Sequence, residues 1–165
     1  MAEPAPRSVY IALGSNLADP EAQIRCAFDE LDRLPDSSLT SHSSLYRSRP
    51  LGPPDQPDYI NAVALLRTTL SPQVLLDQTQ AIEAAHQRRR GGERWGPRTL
   101  DLDLLLYADR VVQTDRLQIP HPEMTQRAFV LLPLAEIAPA GLVIPGAGSL
   151  QALLQRISSD GLWKL

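Results

Sequence analysis

Asp101 and Asp103 flank Leu102 at the head of an apolar run, just downstream of arginines at 88, 89, 90, 94 and 98. Side chains two apart on a strand point to the same face. A strand over 100–107 therefore sets both carboxylates side by side, while Leu100, Leu102, Leu104 and Leu106 face a core. Adjacent carboxylates repel and raise one another's pKa unless something positive sits between them. Either the upstream arginines or a hard divalent cation meets that need. An oxygen site with one or two carboxylates and room for phosphate suits Mg²⁺, and arginine forks suit the remaining phosphate charge. Taken singly, an Asp-x-Asp pair is commonly a solvated strand end, an arginine run an exposed face, and Gly91-Gly92 a turn. Their concentration between Arg88 and Leu106 points instead to magnesium–nucleotide chemistry.

The rest of the chain bounds that reading. At 165 residues, with 43% hydrophobic and 21% charged residues, it is expected to form one domain over 8–165 behind a loose Pro/Ala-rich tail at 1–7. A net charge of −3 argues against a general nucleic-acid binder, which leans on a strongly basic surface. All basic residues but one, Lys164, are arginine. Cys26 is the single cysteine, which excludes an internal disulfide and a cysteine-based zinc cluster. There is neither a leader-like start nor a long apolar span, so the expected location is cytoplasmic, without membrane partners.

The elements that would position the aspartates follow from periodicity. Ser8–Leu13 alternates as a first strand and ends in Gly14-Ser15-Asn16. Asp19-Pro20 opens a helix over 20–34, with Ile24, Ala27, Phe28 and Leu31 on one face. Residues 39–48 form a weak, polar strand containing His42. Four prolines between Arg49 and Pro57 make a stiff loop. Tyr59–Thr68 is a strand with Tyr59, Asn61, Val63 and Leu65 on one face and Ile60, Ala62, Ala64 and Leu66 on the other. An aromatic ring and an amide at its mouth suit a flat heterocycle, or else ordinary packing. Ser71-Pro72 opens a helix to about 87, with Gln80, Glu83 and Gln87 on one side. With 100–107 the order is strand, helix, strand, strand, helix, strand: an α+β, ferredoxin-like βαββαβ core with both helices on one face of an antiparallel sheet. Beyond Tyr107 come a hairpin from Val111-Val112 and Leu117–Ile119, a short helix over 130–138, loop or edge strand over 141–148, and a last helix over 150–157. His121 lies between two prolines and six residues before Arg127.

These motifs resemble one family. Arg94–Leu105 (RWGPRTLDLDLL) is similar to the signature of the 6-hydroxymethyl-7,8-dihydropterin pyrophosphokinases. Ile11–Asn16 (IALGSN), Leu51–Asn61 (LGPPDQPDYIN), Gln80–Glu83 (QAIE), Pro120-His121 and Arg127–Pro139 (RAFVLLPLAEIAP) follow in the family's order and spacing. The resemblance covers about 8–160. It implies transfer of pyrophosphate from ATP to the pterin hydroxymethyl group in folate synthesis, leaving AMP, by a monomer using two Mg²⁺ ions. By the same resemblance, Asp101 and Asp103 hold the metal, and Arg88 and Arg98 act with them in catalysis. The resemblance also implies that Gln80, Glu83, Arg88, Arg90, Trp95, Arg98, Leu104, Arg116, His121 and Arg127 meet ATP. It likewise implies that Gly14, Ser48, Leu51, Tyr59, Asn61, Trp95 and Phe129 meet the pterin, which would be sandwiched between Tyr59 and Phe129. The loops 49–57 and 88–98 become candidate lids.

The sequence departs from some family members at Ser48, Arg49 and Pro122, and Arg89 is an additional charge. No P-loop is present, so phosphate binding falls to arginine and metal, and no residue is an evident covalent nucleophile. Two other readings compete with this one. A ferredoxin-like RNA-binding domain fits poorly with the acidic net charge and the lack of an RNP-type aromatic run. A kinase transferring only the γ-phosphoryl group is separated from the first reading by the family motif alone.

Overall fold

The computed structural model describes residues 5–17, 19–49, 57–87 and 99–165 in full, and the backbone of Arg88. In chain order the elements are β1 (Arg7–Ser15), α1 (Pro20–Asp32), β2 (Ser37–His42), β3 (Tyr46–Ser48), β4 (Tyr59–Thr68), α2 (Pro72–Arg88) and β5 (Asp101–Tyr107). There follow β6 (Val112–Gln113), β7 (Gln118–Ile119), α3 (Ala128–Ile137), β8 (Val143–Ile144), β9 (Gly148–Ser149), α4 (Leu150–Leu154) and β10 (Leu162–Lys164). Both long helices start where expected. The Asp19 carboxylate accepts from the Ala22 amide, and the Ser71 hydroxyl accepts from the Val74 amide, each meeting a donor that the first helical turn leaves open.

β1 and β4 are the central strands of the antiparallel sheet. β5 pairs with the free side of β1, while β2 and β3 pair in succession along β4, and β10 adds to β3. This is the ferredoxin-like α+β arrangement. The strand expected over 39–48 is broken into two at residues 43–45, where the Ser43 hydroxyl accepts from the Val63 amide and replaces a ladder bond. β10 was not anticipated, because the alternation in Leu162–Lys164 is too short to read. The last helix is also shorter than expected and ends at Leu154.

Each face of the sheet buries its own core. On one side, α1 and α2 pack Ile24, Phe28, Leu31, Leu75 and Ile82 over Val9, Ile11, Leu13, Ile60, Ala62, Ala64, Leu66, Leu102 and Leu104. On the other, α3 and α4 pack Val130, Leu131, Leu134, Leu150 and Leu153 over Tyr10, Val63, Leu105 and Leu106. Leu106 thus corrects the uninterrupted alternation expected for 100–107. Tyr10 pairs with Leu106 but Ile11 pairs with Leu104, leaving Leu105 as the extra residue of a bulge, and one extra residue reverses side-chain parity. His42 is an exposed residue at the end of β2, and its ring stacks on Phe28, with centroids 4.0 Å apart.

Glu136 ties α3 to the outer strands. Its carboxylate accepts from the Ser44 amide (3.1 Å) and hydroxyl (2.9 Å) and from the Tyr46 hydroxyl, with Lys164 Nζ at 3.9 Å. Partial burial alone would raise the carboxyl pKa, but the bonds from Tyr46 and Ser44 and the Lys164 charge together hold it below the usual carboxylate value. Glu136→Gln is therefore expected to cost about 1–3 kcal/mol at neutral pH. A depressed folded-state pKa makes this stabilisation complete above the unfolded value and lost as pH falls through the folded one. Urea denaturation of both proteins checks it: the gap should be open at neutral pH and closed in strong acid.

Candidate active site

The site lies where β1, β4 and β5 end together, and a glycine creates it. Gly14 pairs with Asn61 on one side and Asp101 on the other, while Ala12 pairs with Asp103. Having no side chain, Gly14 leaves a hollow in the sheet between an amide and a carboxylate. A Cβ placed there would lie 3.3 Å from Asn61 Nδ2 and 3.9 Å from the Tyr59 ring. Both aspartates project on the α3 side, opposite Leu102 and Leu104, as strand alternation requires.

The hollow is the floor of a cavity of about 210 Å³ lined by Tyr59, Asn61, Ser48, Phe129, Asp101 and Asp103 among others. Ser48 and Asn61 are each only 6% exposed. The Ser48 hydroxyl donates to Asn61 Oδ1 at 2.6 Å, which fixes the amide and leaves Nδ2 turned to Gly14. Tyr59 comes from the mouth of β4 and Phe129 from the first turn of α3, so the two rings reach the cavity from different layers.

A second cavity of about 360 Å³ runs along the outer edge of β5 and is lined by Gln80, Glu83, Leu104, Arg116, Asp103 and His121, among others. Asp103 and His121 line both cavities. α2 supplies the polar wall. Glu83 Oε2 accepts from the Leu102 amide at 2.8 Å, meeting an edge-strand donor midway between the aspartates. Arg116 donates to Asp77 (2.7 Å) and Gln80 (3.1 Å). His121 Nδ1 accepts from the Glu123 amide at 3.2 Å, so Nε2 is the nitrogen left to meet a ligand. Arg127 pairs with Glu123 and lies over the Phe129 ring at 5.6 Å. The arrangement offers an aromatic, amide-bearing slot beside a polar trough, with two hard carboxylates at their junction.

Residues 10–139 match the family model for 7,8-dihydro-6-hydroxymethylpterin-pyrophosphokinase. A Pseudomonas aeruginosa protein named 2-amino-4-hydroxy-6-hydroxymethyldihydropteridine pyrophosphokinase is 50% identical over 157 residues, covering 95% of this chain and 96% of that protein. The chain belongs to this pyrophosphokinase family. A Haemophilus influenzae protein of the same name is 48% identical over 158 residues, covering 96% of this chain and 98% of its own. In three dimensions the chain resembles a Plasmodium falciparum HPPK-DHPS crystal structure with a TM-score of 0.73, at 13% identity. It covers 94% of this chain but spans only 44% of that one, and the likeness is one of fold.

Of the residues expected at a family site, Gly14, Ser48, Tyr59, Asn61, Phe129, Asp101, Asp103, His121 and Arg127 meet at the first cavity, and Gln80, Glu83, Leu104 and Arg116 at the second. Leu51, Arg90, Trp95 and Arg98, with the side chain of Arg88, lie outside the described residues, as do most of the two expected lids. Arg49, left without a role by the sequence, lines the first cavity. Its amide donates to the Gly161 carbonyl at 3.1 Å, and its guanidinium lies 5.3 Å from the Trp163 ring. Asn16 carries no site signal in the sequence beyond its place in a turn. It is 1% exposed, its Nδ2 donates to the Pro57 carbonyl, and its Oδ1 has no hydrogen-bond partner among the described residues.

Glu83→Ala should test the support beneath the aspartates. Removing the acceptor of the Leu102 amide is expected to cost about 1–3 kcal/mol and to speed hydrogen exchange at Leu102 more than at Leu13. Unchanged exchange there would contradict it.

Proposed function

We propose that this chain transfers pyrophosphate from ATP to the hydroxymethyl group of 6-hydroxymethyl-7,8-dihydropterin, in folate biosynthesis. One observation carries the reading: Asp103 and His121 each line both cavities, so groups seated in the slot and in the trough would meet at the aspartates. The relatives' shared name supplies the substrate class.

The slot suits a pterin. Tyr59 and Phe129 bring aromatic rings to the slot from different layers, and offset aromatic stacking contributes about 0.5–1.5 kcal/mol beyond burial. Asn61, locked by Ser48, presents a fixed amide to the heterocycle edge, and Gly14 lets the ring approach the backbone. The trough suits ATP, with Gln80, Glu83, Leu104, Arg116, His121 and Arg127 around it. By family motif Arg88, Arg90 and Arg98 add charge-assisted bonds to the phosphates, while Leu51 and Trp95 complete the pterin seat.

The donor set at the junction fits magnesium. Asp101 and Asp103 present hard carboxylate oxygens from one face of a strand, with no thiol between them. Two such ions supply neutralisation of phosphate charge and alignment of the attacking and leaving oxygens. The protein's own share is positioning. The hydroxymethyl oxygen bonds to the β-phosphorus, the bond from that phosphorus to the α-phosphate oxygen breaks, AMP leaves and the hydroxyl proton is released. Holding both reactants in line converts a bimolecular step into an effectively unimolecular one, and the fixed carboxylates and cations need no reorganisation as charge moves. The family resemblance also implies that the chain works as a monomer.

Incubation with ATP, Mg²⁺ and hydroxymethyl-dihydropterin should yield AMP. ADP as the nucleotide product would establish simple phosphoryl transfer instead, and absence of turnover would favour a binding role. Asp103→Ala is expected to lower kcat by at least about a hundredfold while the thermal melt stays cooperative; near-normal activity would remove the metal assignment.

A further inference from the structure

A second cluster of ligand-type side chains lies between α1 and α2, outside both cavities. Gln23, Cys26 and Glu30 share a face of α1 at helical spacing, and His86 reaches them from near the end of α2. His86 is fully buried. Its Nδ1 lies 2.5 Å from Gln23 Oε1 and its Nε2 lies 2.5 Å from Glu30 Oε1, the oxygen that also accepts from the Cys26 thiol at 3.2 Å. Among the described residues, the ligand atoms of Cys26, Glu30 and His86 all fall within 4.8 Å of one another.

We propose that Cys26, Glu30 and His86 form a binding site for a borderline-soft divalent cation of the zinc class, with Gln23 orienting the imidazole. When Nδ1–H donates to Gln23, the Nε2 lone pair faces a carboxylate oxygen at 2.5 Å. Two lone pairs that close require a positive centre in common, either a proton or a metal. A carboxylate or carbonyl holding the far nitrogen of a ligating histidine is the usual outer arrangement of such sites. Thiolate, imidazole and carboxylate together are donors that zinc takes at about 2.0–2.3 Å. Tetrahedral angles then set the donor atoms about 3.3–3.6 Å apart. His86 and Glu30 must therefore part by about an ångström, and Cys26 and Glu30 by less. Cys26 and Glu30 are only partly buried, so water has access to the fourth position. Thiolate and carboxylate balance the ion's charge, so no net charge is buried. The thiol proton passes to solvent on binding. Sulfur selects against Mg²⁺, which separates this site chemically from Asp101 and Asp103. A bound ion would cross-link the two helices two residues before Arg88.

Because Cys26 is the only cysteine, a thiolate-to-cobalt band in a cobalt(II) titration of the full chain reports this site, even if cobalt also enters the aspartate pair. One equivalent should give a thiolate-to-cobalt charge-transfer band and tetrahedral d–d absorption, both removed by competing zinc. The band should survive Asp101→Asn, vanish in Cys26→Ser, and need at least about tenfold more cobalt in Gln23→Ala. Zinc should raise Tm in the parent protein and not in Cys26→Ser, whose turnover should stay normal. If Cys26→Ser does not fold, Glu30→Gln should weaken the band in a chain that keeps its thiol. No charge-transfer band in the parent protein, or cobalt absorption lost in Asp101→Asn but kept in Cys26→Ser, overturns the proposal.

Discussion

The structure depends most on the register between β1 and β5. Pairing Gly14 with Asp101 and Ala12 with Asp103 sets both carboxylates on one face of the sheet, next to the one position on β1 that has no side chain. A slip of a single residue would send the aspartates into the helix-covered core and bring leucines to the site. The bulge at Leu105 lets one short strand serve both requirements. Before it, Leu102 and Leu104 bury under α1 and α2 while the aspartates stay at the site. After it, Leu106 buries under α3 and Tyr107 under the helices. Buried leucines on both faces hold the register, because exposing either set would cost about 1.5–3 kcal/mol per side chain.

This explains why the site needs both layers. α2 meets the edge of β5 with Glu83 and lines the trough, while α3 brings Phe129 across from Tyr59. β10 and the Arg49–Trp163 contact fasten the far wall by pairing the C-terminal strand with β3. The slot is thus built from parts far apart in sequence, each held by its own core and joined through one central sheet.

Much of this was legible because short-range patterns agree with the fold. Alternation in Tyr59–Thr68, the Asp19-Pro20 and Ser71-Pro72 helix starts, and the apolar spacing in α1 and α2 all point to elements that formed at those places. The Asp101/Asp103 face followed from strand period alone. What escaped notice rests on long-range pairing. The Leu105 bulge exists only relative to β1, the break at 43–45 only because the Ser43 hydroxyl meets Val63, and β10 only because β3 has an open edge. The setting of His86 likewise exists only because α1 brings Gln23 and Glu30 to its two ring nitrogens. The identity of the substrates came from the family motifs, since spacing reaches only as far as metal, phosphate and a flat ring.

On the proposed function, the Gly14 hollow seats the pterin while the β5 edge seats the nucleotide. Separate calorimetric titrations of Gly14→Ala with a dihydropterin and with a non-hydrolysable ATP analogue test it most directly. The added methyl meets Asn61, which Ser48 prevents from swinging aside, so pterin affinity should fall about tenfold, or about 1.4 kcal/mol, with nucleotide affinity unchanged. Undiminished pterin binding, or an equal loss for both ligands, would contradict the account.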